Sequence, residues 1–585
     1  MLAAHDLVNP SFNDLPRFNK PVLSYWMVAA LYKVLGVSVA AQRFGIALGA
    51  MVIIGCAFVL ARIRDSPTSE LRPPASDLGP PTSASASAWA AAGLAAAPRL
   101  VMFARRIFID IWLTAFMALT LTCFALSEAE PERRRLYLIL MYMSVGLGAL
   151  TKGPIAIVLP GLAFALYLAA TRQLRRVTEM MIPLGALIVA VIVVPWYAVL
   201  HHQHGWTYIR SFFLGENVER FASGVGVLQR RGPWFYLPVV FSDSFPWSML
   251  LPAAAVMTWR ARLLPDGRRL RQRATLLWCW IVAIVGFFSL SAGKQDLYIF
   301  PIAPAVAALG GIAIERGLSD ERWRGWVTRT FAAGGACLAI AGALVLFLFE
   351  GAGRVYALNG ALLVGAVGVA GGLAACGLGL MRRPAQAALV LLTATIAVNW
   401  IFVLRVLPDF ERFKPVPFFS RTLEARLQPG DSVAEYQIAL PSLVFYLQRH
   451  VDQYFDPDTF VNAILAPHRV YATLSAEDYA ELAPRIASHT CIVERRPTFD
   501  VKLGSILARE PLPELLLISN DCERRASTAS EPGERSAPRP QRSERRSASA
   551  AEGASRGAGV PGDSLKRRAR ERVGESEGRS PSDQE

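Results

Sequence analysis

Three polar segments between residues 200 and 300 interrupt a chain that is otherwise strongly apolar: His201–Trp206, Gly215–Phe221 and Lys294–Pro301. Each lies where an apolar stretch of membrane-spanning length meets water. Their arginine, lysine, tyrosine and carboxylate groups suit a site that handles an anionic lipid head group at interfacial depth. A channel or a purely structural membrane protein has little use for them there. Arg220 can grip a phosphate through two parallel N–H bonds, and Glu216 sits one turn before it in a run interleaved with Trp206, Tyr208, Phe212 and Phe213. Lys294 and Tyr298, four apart, are predicted to share a helix face, with Asp296 pointing elsewhere. His202 and His204 alternate and could share a metal, but no neighbouring cysteine or helical histidine spacing completes a ligand set.

Three further positions carry charge to the same depth. Lys20 precedes Pro21, a helix-starting residue, and is followed by Tyr25 and Trp26. It reads equally as a lysine snorkelling beside an aromatic belt and as a lysine holding a lipid phosphate. Asp110 follows Arg105 and Arg106 at the start of an apolar block. An aspartate there is costly unless it is paired or used, and the adjacent arginines offer a structural ion pair. Lys152, in Leu150-Thr151-Lys152-Gly153-Pro154, presents a cation where Gly-Pro breaks a helix.

The elements that must position these residues are membrane spans. The chain has 585 residues, 53% of them hydrophobic, and a net charge of +15. Its mean hydropathy is +0.34. The arginines gather in short loops between apolar blocks, which is topogenic charge and argues against nucleic-acid binding. Five of the seven cysteines fall inside apolar blocks as packing residues. Only Cys491 and Cys522 lie outside them, so there is no metal-binding cysteine array, and those two are expected to form a disulfide in an oxidising compartment.

Twelve apolar blocks are predicted to span, near 37–60, 86–103, 107–127, 136–151, 154–170, 180–200, 236–258, 274–291, 298–314, 328–349, 357–380 and 386–406. Arginines at 62/64, 133–135, 172–176, 260–273, 316–329 and 382/383 fall in alternate loops, which the positive-inside rule makes cytoplasmic. Residues 201–235, 292–297 and those after 407 then face outward. Twelve spans put residues 1–36 outside as well, with no helix before Met1 to carry them there, so a first span is expected upstream. Residues 64–88, rich in Pro, Ser and Ala, read as a flexible insertion. The organisation expected is a multi-spanning domain over 1–406, an outward α/β domain over 407–522 and a disordered tail over 523–585. Within the outward domain, helical patterns at 417–428 and 475–487 alternate with β-rich runs at 432–436, 469–473, 491–494 and 514–518.

Taken in order, Phe18 to Trp26 with Gly36 and Arg43, Arg105 to Asp110, Leu150 to Pro154, Asn217 to Phe221, Arg231 to Tyr236, Phe245-Pro246-Trp247 and Lys294 to Pro301 resemble the signatures of one family. These are the bacterial glycosyltransferases similar to the 4-amino-4-deoxy-L-arabinose lipid A transferase and the protein mannosyltransferases. The resemblance runs from residue 1 to about 520 and implies the C-type glycosyltransferase fold. That fold is an all-α polytopic membrane protein, here of about twelve spans, with a small C-terminal α/β outer domain. It also implies transfer of a sugar from a polyprenyl phosphate to a lipid, protein or glycan acceptor on the outer face of the bacterial inner membrane, with the C-terminal domain periplasmic. By the same matching Asp110 is catalytic, Lys20 and Arg220 with Lys152 hold the donor phosphate, and Lys294, Tyr298, Tyr25 and Glu216 line the cavity. An inverting transfer needs a carboxylate to deprotonate the acceptor and cations to stabilise the departing phosphate. No nucleotide is needed, since the lipid carries the activated sugar, and a divalent metal stays open as a cofactor.

The chain departs from the family pattern twice. The first helix and the aspartate that follows it in relatives are not found, as in an N-terminally truncated member. Asn19 stands where relatives of the arabinose transferase have a glutamate that can help bind metal. A catalytically inactive polyprenyl-phosphate-binding homologue is therefore the main competing reading. A lipid-carrier transporter should show repeat symmetry and midplane charge, and an oligosaccharide ligase one large outer loop; neither pattern is visible.

Overall fold

The computed structural model describes residues 1, 5–17, 20–63, 82–105, 109–222, 231–261, 267–350, 358–499, 503–508 and 510–522. These divide into two compact units, one made of Met1–Ser11, Pro16–Phe347 and Gly360–Leu404, the other of Phe12–Leu15, Leu348–Asn359 and the chain from Arg405 onward. Residues 11–16 form a minimal hairpin, β1 (Ser11–Phe12) and β2 (Leu15–Pro16).

The first unit is helical because a chain in hydrocarbon must satisfy every backbone N–H and C=O internally. Its helices are α1 (Leu23–Leu35), α2 (Val39–Arg62), α3 (Thr82–Ala95), α4 (Pro98–Phe103), α5 (Ile109–Ala129), α6 (Arg134–Lys152), α7 (Ile155–Ala170), α8 (Ile182–His204), the short α9 (Thr207–Arg210) and α10 (Arg220–Ala222), α11 (Tyr236–Asp243), α12 (Leu251–Arg260), α13 (Gly267–Leu290), α14 (Ala303–Ser319), α15 (Glu321–Phe349), α16 (Ala361–Leu380) and α17 (Pro384–Ile401). Each apolar block read from the sequence is helical over most of its described residues. Among the described residues, however, eight helices are long and apolar enough to cross a membrane, or nine counting one bent pair. Two blocks are broken. The block at 86–103 divides into α3 and α4 ahead of Pro98, and the block at 236–258 bends by 114° between α11 and the segment from Trp247. The first break falls within a run of alanines, whereas the second coincides with Ser242-Asp243-Ser244 and Pro246, a polar interruption present in the sequence. The segment 82–88, read as part of a flexible insertion, is the start of α3, while 64–81 lies outside the described residues.

Small residues allow the closest helix contacts. A Cβ on Gly335 would lie 2.5 Å from the backbone of Gly372 and Cys376, and one on Gly342 would lie 2.7 Å from that of Gly365 and Val369. α15 and α16 therefore meet backbone to backbone. At the arginine-rich end, Glu128 accepts from Arg176 (2.5 Å) and pairs with Arg134 (3.2 Å). At the same end Arg273 donates to the carbonyl of Ile63, 2.8 Å away. These ties link loops that the charge pattern assigned to one membrane face.

The second unit is a doubly wound α/β fold. Its strands β3 (Ser432–Tyr436), β4 (Asp452–Tyr454), β5 (Val470–Ser475), β6 (Cys491–Pro497) and β7 (Glu514–Ser519) form one sheet in the order β4-β3-β5-β7-β6. β4, β3 and β5 are parallel, and β7 runs antiparallel to both β5 and β6. Of its helices, α18 (Leu407–Asp409) is a single turn. α19 (Val416–Arg426) and α20 (Pro441–Leu447) cover one face with Val433, Tyr471 and Leu517. α21 (Pro457–Ile464) and α22 (Ala476–Ile486) cover the other with Ala434, Tyr436 and Ala472. A last short helix, α23, spans Leu503–Ala508. Four of the five strands match the β-rich runs; the edge strand β4, only Asp-Gln-Tyr, carried no apolar signal. Cys491 and Cys522 are free thiols, so the expected disulfide is not formed. Cys491 donates instead to the carbonyls of Ser519 and Asp521, both at 3.5 Å.

Candidate functional site

The Thr-Lys-Gly-Pro turn organises the site. Thr151 bonds back to the carbonyl of Leu147 (2.8 Å), and Lys152 is the last residue of α6. Gly153 closes the helix at φ +86, and a Cβ there would lie 2.6 Å from the ring of Phe212. Only glycine both adopts that backbone and lets the π-helical segment Ser211–Glu219 come this close. Pro154 then starts α7.

Lys152 Nζ forms an ion pair with Asp110 Oδ1, in the first turn of α5. The aspartate is 8% exposed. Its cation therefore comes from 42 residues downstream rather than from Arg105 next door, because α5 and α6 are antiparallel neighbours that bring these two ends together. Arg106 lies outside the described residues. The same ammonium lies 5.5 Å from the centre of the Tyr298 ring, within cation–π range. The structure thus brings Asp110, Lys152 and Tyr298 together.

Lys294 departs from the sequence reading. The helical turn runs over Asp296–Ile302, so Lys294 lies in the lead-in before it and shares no helix face with Tyr298. Its buried ammonium turns back on the carbonyl of Ser291 at 2.6 Å. The lead-in is strapped down from several sides. Ala292 N–H donates to Phe221 O (3.0 Å). Tyr236 Oη donates to Gln295 O (3.1 Å), and Asp296 pairs with Arg99 (2.7 Å). Arg99 also pairs with Asp243 (2.8 Å), so one guanidinium at the start of α4 joins the end of α11 to the strap. The sequence reading missed Arg99 and Asp243. Both are charged residues inside apolar blocks, and that cost was the available signal.

Lys20 and Tyr25 are half-buried at the start of α1. Val22, between them, packs with Leu150 of α6 and with Trp196 and Leu200 of α8, which holds this segment at the same end of the unit. Phe18 and Asn19 lie outside the described residues, as do the side chains of Glu216 and Arg220. The three histidines fall in the last turn of α8 rather than in a loop. His204 Nε2 bonds Asn9 Oδ1 at 2.8 Å, and Asn9 in turn donates to Gln203 and to Asp6. Asn9's side chain, with the backbone N–H groups of Asn9 and Val8, holds the Asp6 carboxyl below its usual range. His201 packs against Trp206. Among the described residues no three histidine, cysteine or carboxylate groups converge.

A family model described as dolichyl-phosphate-mannose-protein mannosyltransferase matches residues 80–198. An undecaprenyl phosphate-alpha-4-amino-4-deoxy-L-arabinose arabinosyl transferase from Pseudomonas fluorescens is 27% identical over 333 residues, covering 55% of this chain and 53% of that protein. The transferase of the same name from Pseudomonas paraeruginosa is 31% identical over 327 residues, covering 54% and 53%. The chain therefore spans about half the length of the curated relatives it matches. The crystal structure of ArnT from Cupriavidus metallidurans bound to undecaprenyl phosphate superimposes with a TM-score of 0.68 at 22% identity, over 89% of this chain and 92% of that one. Its apo form gives 0.66 at 21% identity. At that identity the likeness establishes the fold.

Proposed function

We propose that this chain, a relative of the undecaprenyl-phosphate arabinosyl transferases with their fold, moves a sugar from a polyprenyl phosphate to a hydroxyl acceptor at the outer membrane face. The observation that supports this most is the part-buried Asp110–Lys152 pair beneath Tyr298. It places a carboxylate and a cation side by side at the end of the helices opposite the arginine-rich loops. A glycosyl phosphate needs both: a base for the incoming hydroxyl, and positive charge where the phosphate leaves.

In this reading Asp110 accepts the acceptor's proton, and Lys152 fixes the carboxylate and faces the donor phosphate. Lys20 and Arg220 supply the remaining cations, with Tyr25, Glu216, Lys294 and Tyr298 around the cavity. The names of the relatives favour a 4-amino-4-deoxy-L-arabinose donor, and the acceptor is carried by a lipid, a protein or a glycan. The site then faces the periplasm from the inner membrane.

The test uses the purified chain with undecaprenyl phosphate bearing this aminosugar and an envelope lipid extract, with products read by mass spectrometry. Asp110→Asn should lower transfer by about a hundredfold or more while donor binding persists. Arg220→Ala should weaken donor binding by about 2 kcal/mol, as when one partner of a charged pair is removed. Tight donor binding without transfer to any acceptor would sink the transferase reading and leave the lipid-binding one.

A further inference from the structure

At the opposite, arginine-rich end of the membrane unit lies a cavity of about 280 Å³ that takes no part in the chemistry above. It is lined by Glu321, Arg322, Arg324, Trp326 and Arg329 from the first turns of α15 and by Arg382 from the turn between α16 and α17. Four guanidinium groups thus meet one carboxylate, and that carboxylate neutralises little. Glu321 is 90% exposed at its side chain and lies 3.7 Å from Arg324, while Arg322 reaches Asp320 only at 4.0 Å. Arg329 and Arg382, both exposed, have no acidic partner among the described residues.

Topogenic charge requires arginines only to lie in the right loop; it does not require segments more than fifty residues apart to aim them into one hollow. The surroundings point to what fills it. Leu380 and Met381, next to Arg382, are 72% and 69% exposed, and Ile340 farther along α15 is 68% exposed. Leu380 and Ile340 lie on helices long and apolar enough to cross a membrane, and Met381 directly follows one, so exposed apolar side chains suited to acyl chains border the basic hollow. Trp326 stands at that boundary with Arg260 over its ring at 6.0 Å, as interfacial tryptophans do. Arginine forks match phosphate oxygens two at a time.

We propose that this cavity binds the phosphate head group of an anionic phospholipid from the leaflet at that face, with the lipid's chains lying along Leu380, Met381 and α15. The lipid is a bound partner distinct from the polyprenyl phosphate of the opposite face, and the assignment does not depend on the transferase reading.

The test is native mass spectrometry of the full chain released from nanodiscs of phosphatidylcholine containing a minor fraction of phosphatidylglycerol. The parent protein should retain phosphatidylglycerol preferentially. Arg329→Gln with Arg382→Gln should reduce that retention by about tenfold or more, since each basic group near an anionic membrane surface adds roughly a further factor of several. Arg172→Gln with Arg175→Gln, two exposed arginines of another basic loop, should leave it unchanged. Arg329→Lys with Arg382→Lys preserves the topogenic charge while losing the fork, and should retain less lipid than the parent even if the glutamine pair fails to fold. Equal losses from the two glutamine pairs would mean that general surface charge holds the lipid, and undiminished retention in the lysine pair would mean that the fork does not. Either result overturns the proposal. So does displacement of the lipid by excess inorganic phosphate with no preference for phosphatidylglycerol over phosphatidylcholine, which would identify the ligand as a free anion.

Discussion

Removing the Lys152 ammonium would strand the Asp110 carboxylate, which is 8% exposed and has its ion-pair partner in that lysine. Breaking a buried pair from one side costs on the order of 3–5 kcal/mol, whereas replacing both partners with apolar groups is often nearly neutral. Lys152→Met should therefore lower the thermal midpoint of the detergent-solubilised chain, and Lys152→Met with Asp110→Leu should recover most of it while remaining inactive. A double variant as unstable as the single one would show that the pair is not what holds these helix ends. A second buried carboxyl, in the α/β unit, behaves differently. Glu435 is fully buried on β3, accepting from the Leu440 N–H (3.0 Å) and from Gln453 (3.3 Å), with Oε1 unpartnered. Burial pushes its carboxyl up to about 7 from an ordinary 4.5. A carboxyl raised in the folded state binds its proton more tightly there. Its stabilising contribution is complete below pH about 4.5 and is lost as pH rises through about 7, a loss of roughly 3 kcal/mol at most. Hydrogen exchange of the β3 amides, corrected for intrinsic rates, should show weaker protection at pH 8 than at pH 5. Glu435→Gln should flatten that difference; an unchanged slope would assign the effect to another group.

At the level of elements, the Arg99 bridge is one of the ties that hold the strap carrying Lys294 ahead of Tyr298. Asp243 and Asp296 both pair with this one guanidinium; Asp243 Oδ1 also accepts from Ser242 (3.3 Å), and its Oδ2 is buried without a hydrogen-bond partner. Arg99→Ala leaves two carboxylates facing each other at the end of α11. Deuterium uptake in a peptide covering 292–300 should rise and activity should fall, whereas Arg99→Lys, which keeps the charge but not the fork, should show a smaller rise. Uptake unchanged in Arg99→Ala would mean that the Tyr236 and Phe221 bonds hold the strap without it. This bridge also marks where sequence reading stops. The apolar blocks were legible because a span must be apolar along its whole length, and the sheet because four of its strands are β-rich. The break ahead of Pro98 was not, since hydropathy does not register a change of direction, and the bend between Asp243 and Trp247 was missed although Asp243 and Pro246 mark it. Lys294 and Tyr298 were legible as candidate residues, but their geometry was not: four-residue spacing implies a shared face only if the helix has already begun, and here it begins at Asp296. Asp110 was legible as an expensive charge. Its partner was not, because antiparallel packing of α5 and α6 chose Lys152 over the nearer arginines.

For the whole molecule, the charged groups sort to two ends of the membrane unit, and the sorting has a consequence for orientation. At one end are the Glu128–Arg134–Arg176 cluster, the Arg273 tie to Ile63 and the basic cavity of α15. At the other are Asp110–Lys152, Arg99 with its two aspartates, and the strap before Tyr298. The arginines at the first end outnumber the carboxylates they pair with; at the second, Arg99 is matched by two aspartates and Lys152 by one. An excess of basic residues in short loops is retained on the cytoplasmic side during insertion, so the first end should lie there and the candidate site should face out. The α/β unit follows α17, whose N-terminal end adjoins Arg382 and Arg383 on the basic side, so that unit should emerge on the outer face. A cysteine placed at exposed Arg172 marks the basic end, and one at exposed Asp458 marks the α/β unit. In a background with the seven native cysteines replaced, a membrane-impermeant maleimide added to intact spheroplasts should label position 458 and leave position 172 unlabelled until the membrane is opened. The reverse pattern would place Asp110 and Lys152 on the cytoplasmic side, where an outer-face transfer could not occur, and the proposed function would fail together with the orientation.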